Sequence, residues 1–122
     1  MAIYGGKRYD FRPPTHTLAL KETWPLRWVV EDENGAPWTS FAGKTWGFAL
    51  LDRLETANGW TDVQAAALIV KTGGQITASA PNLDVPVTPA DQAALTARSY
   101  AYEVWETAGE RRVAYGTIQV VA

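Results

Sequence analysis

The chain has 122 residues, 47% of them apolar and 20% charged, which fits one domain around a single core and excludes a disordered chain or a charged tail. A net charge of −2 gives no sequence-independent pull toward phosphate backbones or anionic lipid, so neither nucleic acid nor a membrane is an expected partner. Without cysteine there is no disulfide or thiolate metal site, the apolar run Ala65–Val70 is far short of the ~20 residues of a membrane span, and no signal-peptide stretch opens the chain, so synthesis and maturation in the cytosol are expected.

In chain order, residues 1–14 read MAIYGGKRYDFRPP, a Gly pair and a Pro pair around aromatic and basic residues with no strand or helix period. This segment is expected to leave the body as an extended arm, with residues 15–122 forming one domain. From Trp24 to Glu31 a period of two sets Leu26, Trp28 and Val30 against Pro25, Arg27 and Val29, the pattern of a strand with one buried face. Asn34-Gly35 follows and suits the positive φ angles of a tight hairpin turn. The next strand begins near Lys44. There Trp46, Phe48 and Leu50 face one way, while Thr45, Gly47 and Ala49 present a small-residue face on which something can pack closely.

Residues 54–63 are polar with Asn58-Gly59 inside, and they read as a loop with Trp60 at its rim. Residues 65–71 are predicted to be a strand rather than a helical turn, because β-branched Ile69 and Val70 run into Thr72-Gly73-Gly74, a hairpin signal that makes residues 75–80 the partner strand. Leu83, Val85 and Val87 alternate next, and Pro86, which lacks a backbone donor, marks an edge strand. Thr88-Pro89-Ala90-Asp91 carries an N-cap residue, a Pro at the first helical position and an acid in the first turn, so one short helix is expected over 88–95. The clearest hairpin comes last. Tyr100, Tyr102 and Val104 alternate with Ala101, Glu103 and Trp105, the chain turns at Ala108-Gly109-Glu110, and it returns from Arg111 to Val121 with Gly116, Ile118 and Val120 on the buried face. Short strands separated by turn signals, with at most one short helix, predict a mainly β, antiparallel two-sheet sandwich.

No residue set selects a catalytic chemistry. His16 is the only histidine and sits in the Pro-rich exit of the arm, so it reads as a surface or interface residue rather than a triad base. Glu31-Asp32-Glu33-Asn34-Gly35 has carboxylates without the twelve-residue spacing of a calcium loop and reads as a polar hairpin tip. Gly5-Gly6-Lys7 lacks the remaining residues of a phosphate loop, and Asp52, Glu55, Asp62 and Glu103 have no pattern that pairs them for acid and base work. The chain is therefore read as a non-enzyme with no cofactor and no metal.

Six tryptophans are the constellation that could bind something. Trp28 and Trp46 lie in the apolar register of their strands and are assigned to the core. Trp24, Trp38, Trp60 and Trp105 fall in loops or in the opposite register and are candidate contacts, for a partner protein or for a sugar ring. In the arm, Lys7, Arg8 and Arg12 interleave with Tyr4, Tyr9 and Phe11. Three cations against Asp10 and an acidic body do not make a nucleic-acid strip. The arm is read as a segment that lays its aromatics across a neighbouring subunit and orders on assembly, a disordered leader being the alternative.

A family resemblance rests on Leu26-Arg27-Trp28-Val29-Val30 with Asp32 to Gly35, Trp46-Gly47-Phe48 after Gly43-Lys44, and above all the late segment. That segment runs Thr88 to Leu95, then Tyr100-Ala101-Tyr102-Glu103-Val104, Gly109, Arg111, and Tyr115-Gly116-Thr117-Ile118-Gln119-Val120. From about Thr17 to Val121 this order resembles the immunoglobulin-like sandwich of small tailed-phage virion proteins, including the N-terminal domain of baseplate upper proteins. In that family a short helix caps the sandwich before a Y-x-Y strand and the chain ends in a G-x-I-x-V strand. The sequence departs from the pattern at Arg98-Ser99, where the family has a glycine before the tyrosine strand. The resemblance implies an immunoglobulin-like antiparallel β-sandwich serving as a non-enzymatic structural subunit of a tailed-bacteriophage particle, at the tail tip, baseplate or head surface. Such a subunit would sit in the virion after synthesis in the host cytoplasm, and its partners would be copies of itself and other virion proteins. A carbohydrate-binding module that stacks sugars on exposed tryptophan is the alternative.

Overall fold

The period-two stretch at 24–30 is a strand, and its alternation is matched by burial: Trp24, Leu26, Trp28 and Val30 are buried while Pro25 and Arg27 are exposed. The computed structural model describes residues 17–30, 34, 36–53 and 59–122, together with the backbone of 2–3 and 9–12. Within these the chain forms β1 (Ala2–Ile3), β2 (Tyr9–Arg12), β3 (Thr17–Ala19), β4 (Trp24–Val30), β5 (Trp46–Leu51), α1 (Trp60–Ala66), β6 (Ile69–Thr72), β7 (Thr77–Ser79), β8 (Asn82–Val87), β9 (Ser99–Glu106) and β10 (Arg111–Val121). One sheet runs β1-β10-β9-β5-β6, with β3 also paired to β10, and the other runs β2-β4-β8-β7. The fold is thus a mainly β, two-sheet sandwich, as the strand pattern predicts.

The facing sides of the sheets make the main core. Trp24, Leu26, Trp28, Val30, Leu83, Val85 and Val87 come from one sheet, and Phe48, Leu50, Tyr100, Tyr102, Val104, Ile118 and Val120 from the other. The β9–β10 hairpin forms where expected. A register shift between Arg112 and Ala114 inserts Val113, so that Arg112 lies opposite Trp105 while Val113 and Ala114 are both buried.

Several local expectations differ. Asn34-Gly35 was read as a tight hairpin turn, but β4 pairs with β2 and β8 while β5 pairs with β9 and β6, so the chain between them crosses from one sheet to the other. Thr72-Gly73-Gly74 likewise leads into a 3-10 turn at Gly73–Gln75 and a crossover, and Thr77–Ser79 pairs with Asn82–Asp84 instead of with β6. In both cases the residue chemistry asks for a change of direction and does not say which sheet the chain enters next. Pro86 was taken to mark an edge strand, whereas β8 lies between β4 and β7. The missing N–H is tolerated because β7 pairs only as far as Asp84, and Pro86 stands opposite Pro25, itself beyond the last pairing of β2 at Arg27.

Residues 54–63 read as a loop and 65–71 as a strand, but a helix begins at Trp60, runs through Ala66 and packs on the outer face of the six-stranded sheet over β5 and β9, so the strand starts only at Ile69. The helix fills the small-residue face anticipated at Gly47 and Ala49: with Ala49, Leu51 and Trp105, Trp60 and Val63 form a second apolar cluster. This is why β5 is buried along its whole length instead of in alternation. The short helix predicted after Thr88 is a 3-10 helix over Pro89–Gln92. There the Asp91 carboxylate accepts the Thr88 N–H (2.8 Å), the Thr88 hydroxyl (3.0 Å) and the Lys71 ammonium (2.7 Å). Lys71 is a buried cation on the edge strand β6, a placement that opposes edge-to-edge pairing with another sheet.

Burial alone would raise the Asp91 pKa, but the bonds from Lys71 and Thr88 together outweigh it and hold the carboxyl below its usual value. A carboxyl depressed in the folded state stabilises the fold above its unfolded pKa of about 3.9, and that stability disappears as pH falls through the folded value. The urea midpoint should therefore drop on acidification below about pH 4, and Asp91→Asn should flatten that limb. Identical pH profiles for the two proteins would rule out this linkage.

Two stretches of the segment expected to project as an arm have their backbone paired with the sandwich. Ala2–Ile3 runs parallel to Arg111–Arg112, and Tyr9–Arg12 runs antiparallel to Arg27–Val30. Both lie where a strand offers unpaired backbone groups, which any extended segment can satisfy.

Candidate functional site

The pairing registers bring three connections to one end of the sandwich. Val30 ends β4 there, Trp46 begins β5 opposite Glu106, and Asn82 begins β8 opposite Val29. The crossover before β5, the turn between β9 and β10 and the turn at Ala80-Pro81 therefore lie together. Trp38 N–H donates to Val30 O (3.1 Å), which anchors the crossover, and Thr107 N–H donates to Thr45 O (2.8 Å), which ties it to the β9–β10 turn. The Thr45 and Thr107 hydroxyls are also bonded, at 2.7 Å.

On this framework sits an aromatic group. Phe41 packs on the buried Trp46 with ring centroids 4.7 Å apart, Trp38 meets Phe41 at 5.8 Å and the edge of Trp46 at 6.2 Å, and the Lys44 ammonium stands 5.9 Å from the Trp38 ring centre. Trp38 and Phe41 are half-buried and Lys44 is exposed. A half-exposed indole beside a cation is the amphipathic kind of group that anchors protein interfaces.

The other nominated tryptophans are interior, which corrects their assignment as contacts. Trp24 is in the same register as Leu26 and Trp28, and its Nε1 donates to Ala19 O at 2.7 Å. Trp60, the first residue of α1, packs on Trp105 with ring centroids 6.2 Å apart, and Trp105 is fully buried although it is in the register opposite the main core. Tyr4, Lys7 and Arg8 of the arm fall outside the described residues, as do His16 and Glu31 to Glu33, and of Tyr9, Phe11 and Arg12 only the backbone is described. The structure thus places Trp38, alone of the four tryptophans, at the surface.

No family model, curated protein or solved structure matches this chain.

Tyr115, 45% exposed, was not nominated from the sequence and is the one large hydrophobic side chain exposed among the described residues. It stands on the outer face of β10, with the Arg112 guanidinium 3.9 Å from its ring centre. Its signal was available: it takes the outward position between Ala114 and Gly116 in a strand whose other outward residues, Thr117 and Gln119, are polar. Arg112 is itself buried and lies 3.7 Å from the buried Glu103, whose carboxylate accepts the Trp105 Nε1 proton at 2.9 Å.

An open depression of about 420 Å³ is lined by Leu51, Asp52, Arg53 and Ala66, and Asp52 is paired with Arg98. A second, of about 270 Å³, has Gln92 among its lining residues, and both ends of its amide are bonded: Oε1 accepts Lys21 N–H at 2.8 Å and Nε2 donates to Glu22 O at 2.7 Å. On the outer face of the four-stranded sheet Arg27 grips Asp84 with two bonds, of 2.6 and 3.0 Å, which raise the guanidinium pKa. Among the described residues no three metal-ligating side chains gather, and no helix is long and apolar enough to cross a membrane.

Proposed function

We propose that the protein is a non-enzymatic structural subunit of a tailed-phage particle, an immunoglobulin-like sandwich that docks onto copies of itself and onto other virion proteins. The observation that carries this reading is the corner before β9. Tyr100, at the start of that strand, donates its hydroxyl proton to Thr96 O (3.0 Å) and accepts Thr96 N–H (2.9 Å). A tyrosine locked onto backbone a few residues upstream is a hallmark of immunoglobulin-like sandwiches. The strand order supports it as well: β4, β8 and β7 in one sheet and β10, β9 and β5 in the other follow the B-E-D and G-F-C arrangement of that fold. In such sandwiches the connections gathered at one end form a contact surface, and here that end carries Trp38, Phe41 and Lys44. The step from fold to particle is the family resemblance of the Tyr100-Ala101-Tyr102 and Gly116-Thr117-Ile118 strands, and a fold alone does not dictate a function.

Light scattering on the purified chain is expected to report a homo-oligomer of fixed copy number. The double variant Trp38→Ser, Tyr115→Ser is expected to lower that number while unfolding as cooperatively as the parent. A parent chain that stays monomeric at all concentrations and fails to co-sediment with tailed-phage particles would sink the reading. The carbohydrate-stacking alternative now rests on Trp38 alone among the tryptophans, and a soluble glycan that quenches the fluorescence of the parent but not of Trp38→Ser would favour it.

A further inference from the structure

The two apolar clusters of this fold share no residue, and the six-stranded sheet lies between them. α1 contributes Trp60 and Val63 to the outer one. Seven residues are too few for a helix to persist in water without tertiary support, so α1 depends on how it is attached. One attachment is a seat. The Trp60 indole lies against the Gly47 backbone, where an added Cβ would stand 2.3 Å from Cζ2. The other is a latch. Gly59 holds the N-cap position and has no side chain to cap with, and the Trp60 N–H instead donates to Glu110 Oε2, at 2.9 Å, from the turn between β9 and β10.

We propose that α1 is a lid, latched by Glu110, which opens as a unit while the sandwich beneath it stays folded, and that its opening bares an apolar strip of Ala49, Leu51 and Trp105. Cooperative units divide where few apolar contacts cross, and the sheet is such a boundary here. The latch is suited to release because, among the described residues, it is a single hydrogen bond from α1 to another element, made by an exposed carboxylate.

Native-state hydrogen exchange on the full chain tests this. Amides of 60–66 should exchange faster than those of β4, and Glu110→Ala should speed α1 exchange about five-fold, the effect of losing one cap, with β4 unchanged. Gly47→Ala, which unseats Trp60, should raise binding of the dye 1-anilinonaphthalene-8-sulfonate while a cooperative melting transition remains. Equal exchange rates for α1 and β4 in both the parent and Glu110→Ala would overturn the proposal, as would a folded Gly47→Ala protein that binds no more dye than the parent.

Discussion

Trp28→Ala is expected to lower stability by about 3–5 kcal/mol, a large part of the roughly 5–15 kcal/mol that holds a domain of this size together. Trp28 is 1% exposed and belongs to β4, but its ring neighbours belong to the opposite sheet: Phe48 on β5 at 5.3 Å and Tyr102 on β9 at 5.4 Å. It is one of the largest side chains packed between the two sheets, and a truncation there removes transfer free energy and also leaves a void that the closely packed sheets close only in part. The same burial raises the Tyr102 phenol pKa above its ordinary value. Urea unfolding should show a much lower midpoint with little change in slope. Trp38→Ala, at a half-buried ring in the crossover, should cost about 1 kcal/mol or less, since surface substitutions away from special features are small. Comparable losses at the two positions would contradict the division into core and contact tryptophans.

That division shows where the sequence is legible. Leu26, Trp28 and Val30 announce a buried face by their spacing alone, and extending the same count back two residues reaches Trp24, which belongs to that face and not among the candidate contacts. Trp105 is different. Its register opposes that of Tyr102 and Val104, and it is buried because α1 covers the far side of the sheet, a tertiary fact that no local period contains. The small face at Gly47 and Ala49 predicted that something packs there, but not what, because a seven-residue helix starting from Gly59-Trp60 leaves almost no periodic trace. The candidate contact surface was legible to the same partial degree. Trp38 is found by its polar neighbours, whereas its grouping with Phe41 and Lys44 depends on how the crossover folds back, and the outward place of Tyr115 follows from the alternation that puts Ile118 and Val120 on the buried face.

The outer face of the six-stranded sheet also supplies the second large effect, expected at Glu103. This carboxylate is wholly buried on β9, accepts the Trp105 Nε1 proton, and faces the Arg112 guanidinium at a distance too long for a hydrogen bond. Among the described residues the buried Arg112 Nε and Nη1 atoms have no hydrogen-bond partner, and the groups that face the cation are the Glu103 carboxylate and the Tyr115 ring. Glu103→Ala would strand that cation and the Trp105 donor together, and the expected cost is about 3–5 kcal/mol. Arg112→Met should cost less, because the methionine keeps much of the packed volume and the carboxylate retains its bond from Trp105. Combining Glu103→Leu with Arg112→Met should recover much of the loss from Glu103→Leu alone, since a buried pair replaced by apolar groups of similar volume is often close to neutral. A double-mutant cycle read by urea unfolding measures this directly. Strictly additive effects would mean that the two charges do not depend on each other, and the burial of Arg112 would then have to be maintained by packing alone.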